Sequence, residues 1–555
     1  MPAYALALAL LVTAPLLKPG YLLLRDAVST PRSYLSDAAL GLSEAAPRAL
    51  PQDFAVAIGS WAVGGGIVVK ALLIAALWCA GWGAARLVAT VVPAAGLPGQ
   101  FVAVTLAIWN PYVAERLLQG HWSLLVGYGC LPWVATAVLR LRGGDGGFWP
   151  VAFWIAFAGL TPTGLLVAAT VAVVSAVAPG SGRPRWVCVA LSLGVSVLAA
   201  LPWLVASALA GSLSSTQATG VPVFAARAEP GLGTFASLAG LGGIWNGQAV
   251  PDSRTTLFAM VGTFVLLAIV GLGLPTALRR PAAVPLLVLA AVAVVFPAAM
   301  ATGPGVATLE ALVRTLPGLG VLRDGQKWVA LAMPGYALAG GSAVVTLRTR
   351  MPALVTAAVC CAALLAVLPD LAWGLGGKVT AVRYPPGWAQ VANTINADPR
   401  PVAVLPPDSM REFAWAGTAP VLDPLPRWVS ADVLTTGDLV IGGQTVPGEG
   451  EHARQVQRML LSGAGVDELA GAGVGWVVVE SGKGSIPLAP LALPLAYRDE
   501  ALTLYRVGGD HPAAEHRGVL IAAHLVWLAT LGVGAVGTLV GASRSRRARR
   551  GPPSA

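Results

Sequence analysis

Charged side chains are scarce in this sequence: Asp, Glu, Lys and Arg make up 11% of its 555 residues, while 56% are hydrophobic. A water-soluble domain is nearer a quarter charged, so the shortage excludes an ordinary soluble chain. Cysteine is sparse too. Cys79, Cys130, Cys188, Cys360 and Cys361 all fall in apolar runs, and none lies between 371 and 516. That excludes a disulfide framework for the hydrophilic stretch. No CxxC or His-rich spacing points to zinc or haem, and His121 is the only histidine before residue 452. The first segment, residues 1–17, lacks the positive n-region of a secretory signal and reads as a retained helix.

What is present is a succession of apolar runs long enough to span a bilayer, roughly 17–25 residues each. About twelve spans are expected, near 1–24, 70–88, 96–110, 123–140, 149–162, 164–180, 186–209, 255–278, 282–300, 328–347, 351–370 and 518–541. Arginines cluster between them: Arg140 with Arg142, Arg183 with Arg185, Arg279 with Arg280, Arg348 with Arg350, and a tail holding Arg544, Arg546, Arg547, Arg549 and Arg550. Short arginine-bearing loops mark the cytoplasmic side. Both termini then face the cytoplasm, and every arginine pair falls on one side. The net charge of +10 therefore sets topology, with no nucleic-acid partner implied. The tail is also placed to touch anionic lipid.

The outward loops become 25–69, 110–122, 210–254, 301–327 and 371–516. Of the eleven acidic residues before 371, ten fall on the outer side or at its edge: Asp26, Asp37, Glu44, Asp53, Glu115, Glu229, Asp252, Glu310, Asp324 and Asp370. Only Asp145 falls inside. Residues 54–69, interrupted by Gly64, Gly65 and Gly66, read as a half-embedded outer segment with Lys70 at the mouth. Three units follow: a transmembrane part (1–370), an extracytoplasmic α/β domain (371–516), and a last span with the basic cytoplasmic tail (517–555). In the α/β domain a helix is expected after Pro385-Pro386-Gly387-Trp388. Strands are expected at Val402–Leu405, Trp476–Val479 and Leu502–Val507, with a helix over 451–470.

Three outer constellations join carboxylate, cation and aromatic. Arg25-Asp26 follows the first span, with Arg32, Asp37 and Arg48 nearby. Trp109-Asn110-Pro111-Tyr112 continues through Glu115-Arg116 to Gln119-Gly120-His121-Trp122. Arg323-Asp324-Gly325-Gln326-Lys327-Trp328 precedes a later span. Such a mixture suits transfer of a sugar from a lipid phosphate. A phosphate leaves readily when Arg or Lys meets its charge, and one carboxylate suffices as base on the acceptor hydroxyl. Trp109, Tyr112 and Trp122 would stack on sugar faces. The same residues also read structurally. Arg25-Asp26 suits an interfacial ion pair, Glu115-Arg116 a cap on a re-entrant turn, and the tryptophans interface anchors. His121 suits a structural hydrogen bond, and Asp324 with Lys327 an i,i+3 salt bridge.

The layout resembles the GT-C superfamily of polytopic glycosyltransferases: an acidic residue just after the first helix, many spans and a late soluble outer domain. Gly20-Tyr21 through Arg25-Asp26, Asn110-Pro111-Tyr112-Val113-Ala114-Glu115-Arg116, Gly120-His121-Trp122, Arg323 to Trp328 and Val421-Leu422-Asp423-Pro424-Leu425-Pro426-Arg427-Trp428 are similar to actinobacterial membrane proteins of the cell-wall arabinofuranosyl- and mannosyltransferase type. The resemblance implies a polyprenyl-phosphate sugar donor, an envelope glycan or glycolipid acceptor, and Asp26 at the reaction centre. Arg25, Arg116, Arg323 and Lys327 would meet the donor phosphate. Asn110, Tyr112, Glu115, His121, Trp122 and Asp324 would shape the sugar pocket, and the outer domain, with Asp423 to Trp428, would hold the acceptor. Some GT-C members need a divalent metal, Mg or Mn, and others none; no ligand set is assigned here. Protein-mannosyltransferase-like members carry Glu after the Asp, whereas Ala27 follows Asp26, which leaves the acceptor class open. Two rival classes stay in view: a lipid-linked-sugar transporter or flippase, and a non-catalytic envelope scaffold or glycan-binding subunit.

Overall fold

The computed structural model describes residues 1–43, 49–210, 215–316, 318–407, 409–441, 443–482, 491–511 and 514–550; Glu44 and Arg48 lie outside them. Among the described residues, six helices are long and apolar enough to cross a membrane: Gly65–Val91, Trp122–Gly143, Arg185–Leu209, Phe258–Leu278, Gly325–Thr346 and Arg517–Arg544. Two bent pairs, Val284–Met300 with Gly303–Thr315 (92°) and Ala353–Ala366 with Pro369–Gly376 (76°), raise the number to eight if each is one span. The remaining expected runs hold shorter apolar helices: Pro2–Leu17, Trp149–Ala158 and Pro162–Ala176, and Gly96–Ile108.

The differences from expectation have local causes. The run 1–24 stops being helical at Lys18-Pro19-Gly20, and Tyr21–Leu24 forms a strand instead. The half-embedded outer segment expected over 54–69 divides at Gly64, whose φ of +77° suits glycine. Gln52–Val63 becomes one helix and 65–69 join the long helix that follows. The run 301–327, expected as an outward loop, contains the helix Gly303–Thr315. The helix expected over 451–470 is two, Glu451–Leu461 and Val466–Gly471, with Gly463 at φ +80° between them.

The hydrophilic region is built on a five-stranded sheet in the order Leu495–Arg498, Leu502–Arg506, Trp476–Glu480, Val402–Leu405 and Val433–Leu434. Val402–Leu405 runs parallel to both its neighbours, while Leu502–Arg506 is antiparallel to both of its own. Alternate side chains point to opposite faces, so Val402 and Val404 pack with Trp388, Val391 and Ile395 of the helix Pro386–Ala397. Ala403 and Leu405 pack on the other face with Val456, Leu460 and Leu469.

Two relations orient the molecule. Tyr21–Leu24 pairs with Ala27–Val28 on one side and with Ala381–Val382 on the other, so the first loop is hydrogen-bonded into the region after residue 371. The helix Trp122–Gly143 has 22 residues, about 33 Å at 1.5 Å per residue, and separates two ends of the bundle. At one end lies His121. At the other, the loops bearing Arg142 and Arg183 meet, with the Gly182 N–H donating to the Arg142 carbonyl at 2.7 Å and Arg142 Nε to the Ala178 carbonyl at 3.1 Å. The last helix begins at the His121 end of the molecule's loops, where Arg517 pairs with Asp37.

Candidate functional site

Arg25 and Asp26 form the two-residue turn between paired Leu24 and Ala27. Arg25 sits at φ +47°, a left-handed conformation that costs a non-glycine residue of order 1 kcal/mol or more. Surrounding bonds hold it there. Its N–H donates to the Pro420 carbonyl at 3.0 Å and its carbonyl accepts from Leu422 N at 2.9 Å. Its guanidinium donates to the carbonyls of Leu118 at 2.6 Å and Gln248 at 2.8 Å. Arg25, expected at a donor phosphate, is thus a clamp on the turn that carries Asp26.

The second constellation is a short helix, Pro111–Leu118, tucked into the bundle. Asn110 caps it, accepting from Val113 N at 3.1 Å while its Nδ2 donates to Leu106 O and Tyr128 Oη. Tyr112 is fully buried, stacks on Tyr128 with ring centroids 5.2 Å apart, and donates its hydroxyl to the Lys327 carbonyl at 3.1 Å. Trp109 is also buried and donates to Leu368 O at 2.9 Å. The stacking role expected for Trp109 and Tyr112 is corrected accordingly, because both rings are enclosed by protein. After the helix, Gly120 at φ +83° brings Gln119 and His121 against the Asp26 turn; a Cβ there would run into Ala27 N and Leu24 O.

The three constellations meet through a chain of polar contacts. His121 Nε2 lies 2.9 Å from Asp26 Oδ2, and Gln119 Nε2 donates to the same oxygen at 3.0 Å. Arg116 donates to His121 Nδ1 at 3.0 Å and to both oxygens of Asp324, at 2.8 and 3.0 Å. It also donates to Gln326 Oε1. Lys327 Nζ is 3.8 Å from Asp324 Oδ2, a looser contact than the bidentate one. Arg116 is fully buried, so it holds Asp324 and His121 rather than facing a donor phosphate. Glu115, expected in the sugar pocket, is instead buried beneath it. It accepts from Gly243 N at 3.2 Å, Ile244 N at 3.1 Å and Gln326 Nε2 at 3.0 Å. Burial, and then the nearby Glu229 charge, push its carboxyl up to about 8.

Electrostatics separate the two aspartates from the histidine. Burial works against ionising Asp26, but the hydrogen bond and charge of His121, then Gln119, outweigh it and lower its pKa. Asp324 is likewise penalised by burial, yet Arg116 and Lys327 hold it well below the usual carboxylate range. His121 is pulled down by burial, with Asp26 opposing, and stays neutral near pH 7.

These groups open onto a cavity of about 1510 Å³ between the helical bundle and the sheet region. Of the expected residues, Arg25, Asp26, His121, Trp122, Arg323, Asp324 and Lys327 line it; Asn110, Tyr112, Glu115 and Arg116 stand behind its wall. The Asp26 side chain is 35% exposed and that of Lys327 26%. Both bonds to Asp26 fall on Oδ2; among the described residues Oδ1 has no protein partner. Arg323 lies over the Phe224 ring, 4.4 Å from its centroid. Sequence reasoning left Gln119, Asn246, Gln326 and Trp203 out of the site. The two glutamines sit inside the quoted motifs and were recoverable from them. Asn246, which donates to Gln119 Oε1 at 2.8 Å, comes from a long loop with no such signal.

Among the described residues no group of three or more His, Cys, Asp or Glu side chains is placed to hold a metal ion. Asp26 and Asp324 already accept from His121, Gln119 and Arg116, an environment that does not fit the oxygen-rich shell of Mg or Mn. No family model matches the chain, and neither does any curated protein or solved structure.

Proposed function

We propose that this chain is a multi-pass membrane glycosyltransferase of the GT-C type, moving a sugar from a polyprenyl-phosphate donor to an envelope glycan or glycolipid with inversion. In this reading it has about twelve spans, with both termini cytoplasmic and residues 371–516 outside. The observation that carries it is an accessible carboxylate, Asp26, held by His121 and Gln119 and sharing a single cavity with the cations Lys327 and Arg323 beside apolar helix residues such as Leu166, Trp203 and Leu204. A lipid tail would lie along the apolar side while phosphate and sugar reach the polar one.

Asp26 Oδ1 takes the proton of the acceptor hydroxyl as its oxygen bonds to the anomeric carbon. The bond from that carbon to the phosphate oxygen breaks, and its electron pair leaves with polyprenyl phosphate. Lys327 and Arg323 stabilise that charge, so the leaving group needs no general acid. Arg25, Arg116, His121 and Gln119 position the base. A transporter would be expected to carry charges deep within spans, whereas these groups gather at one end of the helix Trp122–Gly143. A scaffold would share the architecture without the chemistry.

The test is transfer from a labelled polyprenyl-phosphate sugar by purified protein. Asp26→Asn should lower turnover by about 10²–10⁴-fold while expression and thermal unfolding stay unchanged. Wild-type turnover by that variant would remove Asp26 as the base.

A further inference from the structure

The three aromatic rings expected to stack on sugar have no face to offer: Trp109, Tyr112 and Trp122 are 3%, 0% and 2% exposed. Two other tryptophans at the large cavity, Trp203 and Trp245, are half-buried. Trp203 stands on the helix Arg185–Ala210 beside exposed Leu204, on the apolar side. Trp245 stands on the polar side. Its neighbour Asn246 donates to Gln119 Oε1 at 2.8 Å, and Gln119 donates to Asp26.

The backbone around Trp245 is tied to all three charged segments. Gln326 Nε2 donates to Leu241 O at 3.4 Å, and Glu115 accepts from Gly243 N and Ile244 N. On the other side, Gln248 O accepts from the Arg25 guanidinium at 2.8 Å. A ring carried between such bonds is in place before a substrate arrives, which lowers the ordering cost of binding. The side chain packs edge to face on Phe224, with ring centroids 4.7 Å apart. Arg323 lies over that same Phe224 ring at 4.4 Å. Laid end to end, the two contacts put indole and guanidinium within about 9 Å of each other.

A sugar ring carries C–H bonds on its faces and hydroxyls around its rim. An indole in a polar cavity takes the C–H face by apolar contact and leaves the hydroxyls to amides and carboxylates. A guanidinium takes phosphate. In a prenyl-phosphate sugar those two groups are joined through one oxygen, as indole and guanidinium are joined here by one phenylalanine.

We infer that Trp245 is the stacking platform for the donor's sugar ring, so that the site distinguishes a polyprenyl-phosphate sugar from bare polyprenyl phosphate. The inference deepens the glycosyltransferase reading and rests on it for the identity of the donor. It also gives release a direction. Once the sugar has left, the phosphate keeps Arg323 and Lys327 but loses the stacking contact, so the product binds less tightly than the substrate.

The experiment is equilibrium binding to the full chain in lipid nanodiscs. The probes are farnesyl phosphate and farnesyl phosphates carrying mannose, arabinofuranose or glucose. At least one sugar-bearing probe should bind wild type more tightly than farnesyl phosphate. Trp245→Leu keeps apolar bulk against Phe224 but has no ring face. It should weaken that probe by about 5–20-fold, the value of one stacked face, and leave farnesyl phosphate binding alone. A packing defect would weaken both probes. Trp245→Phe, with a smaller ring in the same place, should lose less, and Arg323→Ala should weaken both probes alike. Equal losses for both probes in Trp245→Leu, no loss, or a wild type without preference for sugar-bearing probes would overturn the platform. Trp245-dependent preference for a sugar-bearing probe, without transfer to any acceptor, would keep the platform and remove the enzymatic reading. Transfer by Trp245→Leu at the wild-type donor KM would do the reverse.

Discussion

The Arg116 guanidinium lies 3.0 Å from Nδ1 of His121, and that contact decides which ring nitrogen carries the proton. Arginine can only donate, so Nδ1 presents its lone pair. The proton of the neutral ring then sits on Nε2, 2.9 Å from Asp26. Near pH 7 Asp26 thus receives a hydrogen bond from a neutral ring, and the positive charge of His121 acts on it only at lower pH, once the ring is protonated; the tautomer is set by Asp324 through Arg116.

Removing the arginine exposes what it neutralises. Arg116→Met leaves Asp324 buried without its bidentate partner, at a cost of about 3–5 kcal/mol. The double variant Arg116→Met/Asp324→Leu should recover much of that loss, because no uncompensated charge remains. Thermal unfolding of the two proteins in one detergent compares them. Equal destabilisation would mean that the pair is not the source.

The pH profile of transfer should have a low acid limb. The folded pKa of Asp26 lies below its ordinary value, so the ionised base, and the stability it contributes, persist above the unfolded pKa and are lost only as pH falls through the depressed one. Gln119→Ala and His121→Ala each remove a bond to Oδ2 and should move the acid limb of kcat/KM upward. A limb that stays in place would mean that those bonds do not act on the base.

Gly120→Ala tests the approach of the two loops. With φ at +83° and backbone of Leu24 and Ala27 in the way, the added methyl should cost about 1–3 kcal/mol and pull His121 away from Asp26. Transfer should fall by more than stability alone explains. At Gly147, where an added Cβ meets nothing within 4 Å, alanine should change neither.

Sidedness is read by cysteine labelling. Four native cysteines are buried and Cys361 is half-buried, which keeps the background low. In intact cells a membrane-impermeant maleimide should label Thr418→Cys, exposed in the sheet region, and spare Gly147→Cys at the arginine end. The opposite pattern would invert the topology and with it the access of Asp26 to an outer substrate.

Much of the arrangement could be read in the chain itself. Apolar runs separated by arginine pairs gave the helices their order, and short apolar runs such as Val402–Leu405, after Pro401, marked the sheet strands. Helix length was less legible: 96–110 was expected as one span, yet its helix stops at Ile108, before Asn110 and Pro111 start another. Asp26, His121 and Lys327 stood out because polar residues are conspicuous beside apolar helices. Arg116 and Glu115 stood out for the same reason, but sequence could not tell a group facing a cavity from one buried behind it.

Composition and hydrophobic periodicity therefore determined that the chain is helical and apolar enough for a membrane, and that its polar residues concentrate in a few loops. Those are properties of neighbouring residues, which local physics fixes. Only the tertiary structure decided that residues 25–26, 115–121 and 324–327 meet, that Arg116 neutralises Asp324, and that the first loop pairs with Ala381–Val382. Such contacts join positions tens to hundreds of residues apart, and which donor finds which acceptor depends on packing that no local pattern encodes.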